Sequence, residues 1–120
     1  MRPRSPRAES GARAEEMAAE FLVAQGLTIV TRNFRTRLGE IDLIARDGAT
    51  LVFVEVRLRR NQSFGGPGAS ITAAKCARLT AAARVYLARL GAEPPCRFDA
   101  VLLDSLESPA IEWERDILSG

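Results

Sequence analysis

Histidine is absent from this 120-residue sequence, and lysine occurs once, at Lys75. Without histidine there is no Ser-His-Asp triad, no imidazole general base and no His-ligated metal. Any chemistry must fall to carboxylates, a hard metal ion, and Arg, Lys or Tyr side chains. Cysteine is scarce as well. Cys76 and Cys96 lie far apart with no histidine to join them, so a zinc site is not expected. Both read as buried thiols in a reducing, cytoplasmic compartment. Apolar runs are short, Leu51 to Val54 being typical, far below the ~20 residues of a membrane span. Met1 to Arg7 carry Arg2, Arg4 and Arg7, but no apolar stretch follows, so a secretory signal is not expected.

What is present suits one globular domain: 47% apolar and 27% charged residues, in a chain too short for a second independent core. The net charge of +2 does not mark a nucleic-acid binder. Sixteen of the seventeen basic residues are arginine, however, and they cluster at Arg32, Arg35 and Arg37 and again at Arg57, Arg59 and Arg60. Two readings stand: a phosphate-facing patch, or arginines that are merely solvated.

Residues 1–9 read as a flexible basic tail ahead of a single domain over 10–120. Helical spacing of Ala14, Met17, Ala18, Phe21 and Leu22 predicts a helix from Ser10, its N-cap, to Gln25, with Gly26 just beyond its end. Leu27 to Arg32 reads as a strand. Gly39 to Arg46 and Thr50 to Leu58 read as a hairpin turning at Asp47-Gly48. The glycines between Phe64 and Gly68 mark a loop before a helix from Ser70 to Leu90, which Gly91 and Pro94-Pro95 end. Arg97 to Asp104 is a further strand and Ala110 to Glu114 a last one. Tyr86 and Trp113 read as packing residues. The hairpin is apolar on both faces, with Ile41, Leu43, Val52, Val54 and Val56 assigned to one and Ile44, Leu51 and Phe53 to the other. A sheet of that kind needs a layer on each side, so the expected fold is a three-layer α/β/α sandwich around a mixed sheet.

Asp42 and Glu55 are out of place in such strands, because a carboxylate there is costly unless something compensates it. Alternation puts Glu40 with Asp42 and Glu55 with Arg57, and an even turn puts Asp42 and Glu55 on one side of the sheet. Two carboxylates with open positions suit Mg²⁺ or Mn²⁺, which can polarise a phosphodiester and activate water. A solvated edge in which Glu55 pairs with Arg57 or Arg46 is the structural alternative.

The stretch from Gly39 to Asp47 (GEIDLIARD), followed by Leu51 to Arg57 (LVFVEVR), resembles the YraN family of uncharacterised bacterial proteins. Gly11 to Glu15, Thr31 to Arg35, Lys75 with Tyr86-Leu87, and Arg97 to Asp99 resemble its flanking segments, over about residues 11–104. That family is similar in fold to the restriction-endonuclease-like superfamily, including archaeal Holliday junction resolvases. The resemblance implies a metal-dependent nuclease acting on DNA, including branched DNA, with Asp42 and Glu55 as metal ligands beside the Val56 carbonyl and Glu15 assisting from the first helix. Related resolvases act as dimers, which makes a second copy a candidate partner. Where the superfamily has lysine this chain has Arg57, which cannot act as a base but can hold a phosphate. Lys75 either supplies the missing ammonium or is a helix-surface charge. Arg35, Arg37, Arg59, Arg60 and Lys75 are the candidate nucleic-acid contacts. A non-catalytic nucleic-acid-binding protein on a degenerate nuclease scaffold is the alternative reading, and an interaction module with solvated basic stripes a further one.

Overall fold

The computed structural model describes residues 6–58, 72–107 and 110–118, with side chains from residue 11 onward. The order of elements is α1 (Pro6–Ala24), β1 (Thr28–Arg35), β2 (Glu40–Asp47), β3 (Thr50–Leu58), α2 (Ala73–Leu90), β4 (Cys96–Leu103) and β5 (Ile111–Glu114). The first helix begins at Pro6, so Pro6–Glu9 belong to it rather than to a tail, and Ser10 lies inside it instead of capping it. Proline is at home in a first turn, where its missing N–H would have no intrahelical acceptor.

Local chemistry sets the remaining boundaries. Gly26, at φ +98, ends α1 in a double closure. The Leu27 N–H reaches the Leu22 carbonyl at 3.0 Å and the Gly26 N–H reaches that of Val23 at 3.0 Å, the pattern of a Schellman cap. The β2–β3 turn has two residues, Gly48 and Ala49, with Asp47 paired to Thr50. Gly48 takes a φ of +61, which costs glycine little. Thr72 caps α2 by accepting the Lys75 N–H on its hydroxyl at 3.2 Å. The glycine loop from Phe64 to Gly68, with Ser70 and Ile71, lies outside the described residues.

The five strands form one mixed sheet in the order β1-β2-β3-β4-β5. Neighbours are antiparallel except β3 and β4, which run parallel with Glu55 beside Ala100. The three-layer expectation holds. On one face Ala18, Ala19 and Leu22 of α1 pack on Leu43, Ala45, Val52, Val54, Val101 and Leu103. On the other, Leu79, Ala82 and Ala83 of α2 pack on Ile41, Ile44, Leu51 and Phe53. Small alanines on both helices let the backbones approach the sheet closely, and each fully buried Leu or Phe contributes about 1.5–3 kcal/mol.

One face assignment is corrected. Ile41 packs with Ile44 on the α2 side, not with Leu43. Strict alternation therefore fails between them, at Asp42. Asn33, opposite this point in β1 between the pairs Arg32–Leu43 and Phe34–Ile41, has a φ of +53, a region asparagine tolerates better than most residues. Tyr86 packs against Phe34 and Phe53, with ring centroids 5.2 and 6.1 Å away. Trp113 stands edge-on to Phe21 at 6.2 Å. Both are packing residues, as expected. The cysteines are not buried: Cys76 is half-buried and Cys96 exposed, and both are free thiols. Cys96 opens β4 at its outer end, which the core does not cover. No helix among the described residues is long and apolar enough to cross a membrane.

Candidate functional site

The β2–β3 ladder runs from Asp47–Thr50 to Leu43–Val54, and the next step would pair Asp42 with Glu55. At that step the Asp42 carboxylate accepts the Val56 N–H at 2.8 Å. A side chain thus replaces a main-chain rung, and the Asp42 carboxylate is fixed beside the residue that follows Glu55. Leu43 and Ile41, on either side of Asp42, lie on opposite faces of the sheet.

Asp42 is half-buried, and the charges that act on it most are those of Glu55, Glu15 and Glu40. Burial first, and then the Glu55 carboxylate, push its pKa up to about 8, with only the Val56 N–H pulling the other way among the leading causes. Glu15 sits on α1 and hydrogen-bonds with both Asp42 and Asn33. Its own pKa is raised by burial and eased by those bonds. Burial thus biases both carboxyl groups toward their protonated forms.

Glu55 is 8% exposed and faces the α2 side. Its Oε1 lies 3.0 Å from Lys75 Nζ and 3.6 Å from Arg57 Nε. Glu55 and Arg57 share a face, as alternation required. The only lysine of the chain comes from α2 to the same oxygen, so Lys75 is not a free helix-surface charge.

Asp42, Glu55, Glu15 and Arg57 are thus brought to one end of the β2–β3 pair, with Glu40 at the rim. Among the described residues no three acidic or cysteine side chains converge closely enough to hold a metal by themselves. The donor set nevertheless fits a hard divalent ion. Asp42 is a half-buried oxygen donor crowded by the Glu55, Glu15 and Glu40 charges, and Mg²⁺ is typically held by one or two carboxylates with waters and substrate phosphate completing the shell.

A cavity of about 410 Å³ opens beside Glu55 and Lys75, walled by Arg35 to Glu40 and by Arg78 and Leu79 of α2. Arg35 and Arg37 therefore reach the site region, whereas Arg32 pairs with Glu16 on α1. Arg59 and Arg60 lie outside the described residues. Sequence reasoning missed Asn33, Thr36 and Arg78. Asn33 had a signal, since asparagine is disfavoured inside a strand; Arg78 had none, because its place depends on how α2 docks.

Comparison with known proteins gives a family match. The model of uncharacterised protein family UPF0102 matches residues 14–103. A UPF0102 protein of Nitrosospira multiformis is 56% identical over 106 residues, covering 88% of this chain and 89% of that protein. One of Symbiobacterium thermophilum is 60% identical over 92 residues, covering 76% and 78%. One of Herminiimonas arsenicoxydans is 47% identical over 119 residues, covering 99% and 94%.

Proposed function

This chain belongs to the uncharacterised protein family UPF0102, the YraN family, and from that premise we propose that it is a metal-dependent nuclease that hydrolyses phosphodiester bonds in DNA. The observation that carries the reading is the placing of Asp42 and Glu55 at the opened end of one hairpin, with the Glu55, Glu15 and Glu40 charges crowding Asp42. Asp42 and Glu55 would hold Mg²⁺ or Mn²⁺, which when bound supplies a Lewis acid for the phosphate and an acidified water.

The chain's own residues do the rest. Glu15, on the protein side of Asp42, accepts the proton that Asp42 gives up on binding a cation. Lys75 presents an ammonium next to Glu55, in the role the superfamily gives to the residue that is Arg57 here. Its flexible stem lets it follow a phosphate oxygen or lend a proton to a leaving alkoxide. Arg57 stays charged and holds a phosphate oxygen through its guanidinium, stabilising charge as it develops. Water attacks phosphorus, the ester P–O bond breaks, and the proton lost by the water ends on the leaving oxygen. Both cysteines remain thiols in the reducing cytoplasm where such an enzyme would meet DNA. A second copy of the chain is the expected protein partner.

The test is incubation with branched, single-stranded and linear DNA in Mg²⁺ or Mn²⁺, with Asp42→Asn and Glu55→Gln as controls. Cleavage lost in both variants supports the reading; no cleavage of any substrate overturns it. A second reading, a nucleic-acid-binding protein on a degenerate nuclease scaffold, is favoured by one observation: Glu55 is already bound by two cations. DNA affinity with a steep salt dependence and no cleavage would select it.

A further inference from the structure

Leu38 is 62% exposed, more than any of the other exposed large apolar side chains among the described residues. It stands on the β1–β2 turn between Arg37 and Gly39. A single exposed leucine needs no explanation on a mobile loop, but this turn is held tightly. The Thr36 N–H and hydroxyl both donate to the Gly39 carbonyl at 2.8 Å. The Thr36 hydroxyl oxygen accepts the N–H groups of Leu38 and Gly39, each at 3.1 Å. The base of the turn is also seated on α2: a Cβ at Gly39 would stand 2.4 Å from the Arg78 carbonyl oxygen. Leu38 therefore cannot fold back to bury itself by rearranging its turn. It is presented to solvent at the mouth of the cavity that holds Glu55 and Lys75.

We propose that Leu38 is a wedge that enters a base step of bound nucleic acid, and that the substrate is a strand locally separated from its partner, as at a junction, flap or bulge. The proposal rests on the nucleic-acid reading above and deepens it. Charge complementarity supports the occupant, since Arg35, Arg37, Arg78 and Lys75 outnumber Glu40 and Glu55 around the same cavity and suit a phosphate backbone on either side of an apolar tip. Size supports the strand geometry. A cavity of about 410 Å³ is in the range of small-ligand sites, enough for a nucleotide unit; the duplex itself presents grooves about 6 to 12 Å wide to which whole helices or ribbons dock. Inserted leucine side chains are one of the ways proteins unstack a step, and steps already interrupted by a branch or bulge cost least to open.

The test uses the full chain with Ca²⁺ in place of Mg²⁺, so that bound DNA is not consumed. A four-way DNA junction carries 2-aminopurine beside the branch point, and a linear duplex carries it in the same sequence. Binding is read independently by anisotropy of a fluorescein on a distant end. Wild type is expected to raise 2-aminopurine fluorescence on the junction and not on the duplex. Leu38→Ser should keep affinity within about threefold, because phosphate contacts supply most of it, yet lose the fluorescence rise. Leu38→Met should retain the rise, and Val23→Ser, altering an exposed valine on α1, should behave as wild type. Binding without any rise in wild type, or an undiminished rise in Leu38→Ser, overturns the wedge while leaving the nucleic-acid reading intact. No anisotropy change with either DNA overturns both.

Discussion

Lys75 Nζ lies 3.0 Å from Glu55 Oε1, across 20 positions of sequence. The chain's only lysine thus neutralises a glutamate that belongs to a different layer of the fold. A carboxylate 8% exposed is held there by two cations, Lys75 at 3.0 Å and Arg57 at 3.6 Å.

Removing either member should reveal their coupling. Lys75→Met and Glu55→Gln are each expected to cost about 1–3 kcal/mol in urea unfolding, because each leaves the other partner under-satisfied in a half-buried place. The double variant should lose less than the sum, by roughly 1 kcal/mol. Strict additivity would mean that the pair contributes nothing. In a cleavage assay Lys75→Met should lower the rate, whereas Arg57→Lys should raise it.

Asp42 predicts a pH-dependent stability. Its carboxyl ionises near 3.8 in an ordinary setting and only near about 8 in the fold, through burial and the Glu55 charge. Between those values the folded state keeps a proton that the unfolded chain releases. The contribution is complete below the lower value and is lost as pH rises through the upper one. Asp42→Asn keeps an acceptor for the Val56 N–H and removes the titration. In EDTA it should match wild type near pH 4 and exceed it by roughly a few kcal/mol above pH 8. Thermal melts across that range check this, and parallel pH curves for the two proteins would refute it.

Mg²⁺ should reverse that difference. Occupation of the site by a divalent ion relieves the crowding of negative charge at Asp42, so wild type is expected to gain thermal stability on titration. Asp42→Asn should gain little. Calorimetric titration should show heat in wild type alone. An equal response in both proteins would place any bound ion elsewhere.

Gly39 and Gly48 should separate space from strain. At Gly39 a methyl group would meet the Arg78 carbonyl at 2.4 Å, so Gly39→Ala must displace α2 or the turn. A cost of about 1–3 kcal/mol is expected, with the 2-aminopurine rise on bound junction DNA reduced as the wedge shifts. At Gly48 nothing lies within 4 Å and only the φ of +61 resists a side chain, giving a cost of roughly 1 kcal/mol and no effect on DNA. Equal effects on stability and on that rise at the two sites would contradict the close packing at Gly39.

Asp99 predicts a stability role apart from the site. Fully buried on β4, it accepts from Arg97 Nε, from Trp113 Nε1 at 2.9 Å and from the Asp116 N–H at 2.9 Å, tying β5 and the residues after it to the sheet. Asp99→Ala should cost about 3–5 kcal/mol, because it leaves buried donors unsatisfied. Red-shifted Trp113 emission should accompany the loss; unchanged emission with intact stability would refute the anchor.

The local grammar of the chain was readable without coordinates. Thr50 to Leu58 is the third strand residue for residue, Gly26 and Gly91 end their helices in positive φ, and the spacing of Leu79, Ala82, Ala83 and Tyr86 marks the inner face of α2. Period-two counting also grouped Glu55 with Arg57, but it failed at Asp42. There a carboxylate took the Val56 N–H in place of a backbone rung, and Ile41 crossed to the other face.

What the sequence determined by itself is therefore the set of elements, the two-sided sheet and the two misplaced acids, because turn chemistry and hydrophobic period act over a few neighbouring residues. Only the tertiary structure decided which cation meets Glu55, that Glu15 and Asn33 close over Asp42, and that Gly39 rests on the Arg78 carbonyl. Those contacts join α1, the β1–β2 turn and α2 across the sheet. Their distances follow from how the layers pack, which no local pattern encodes.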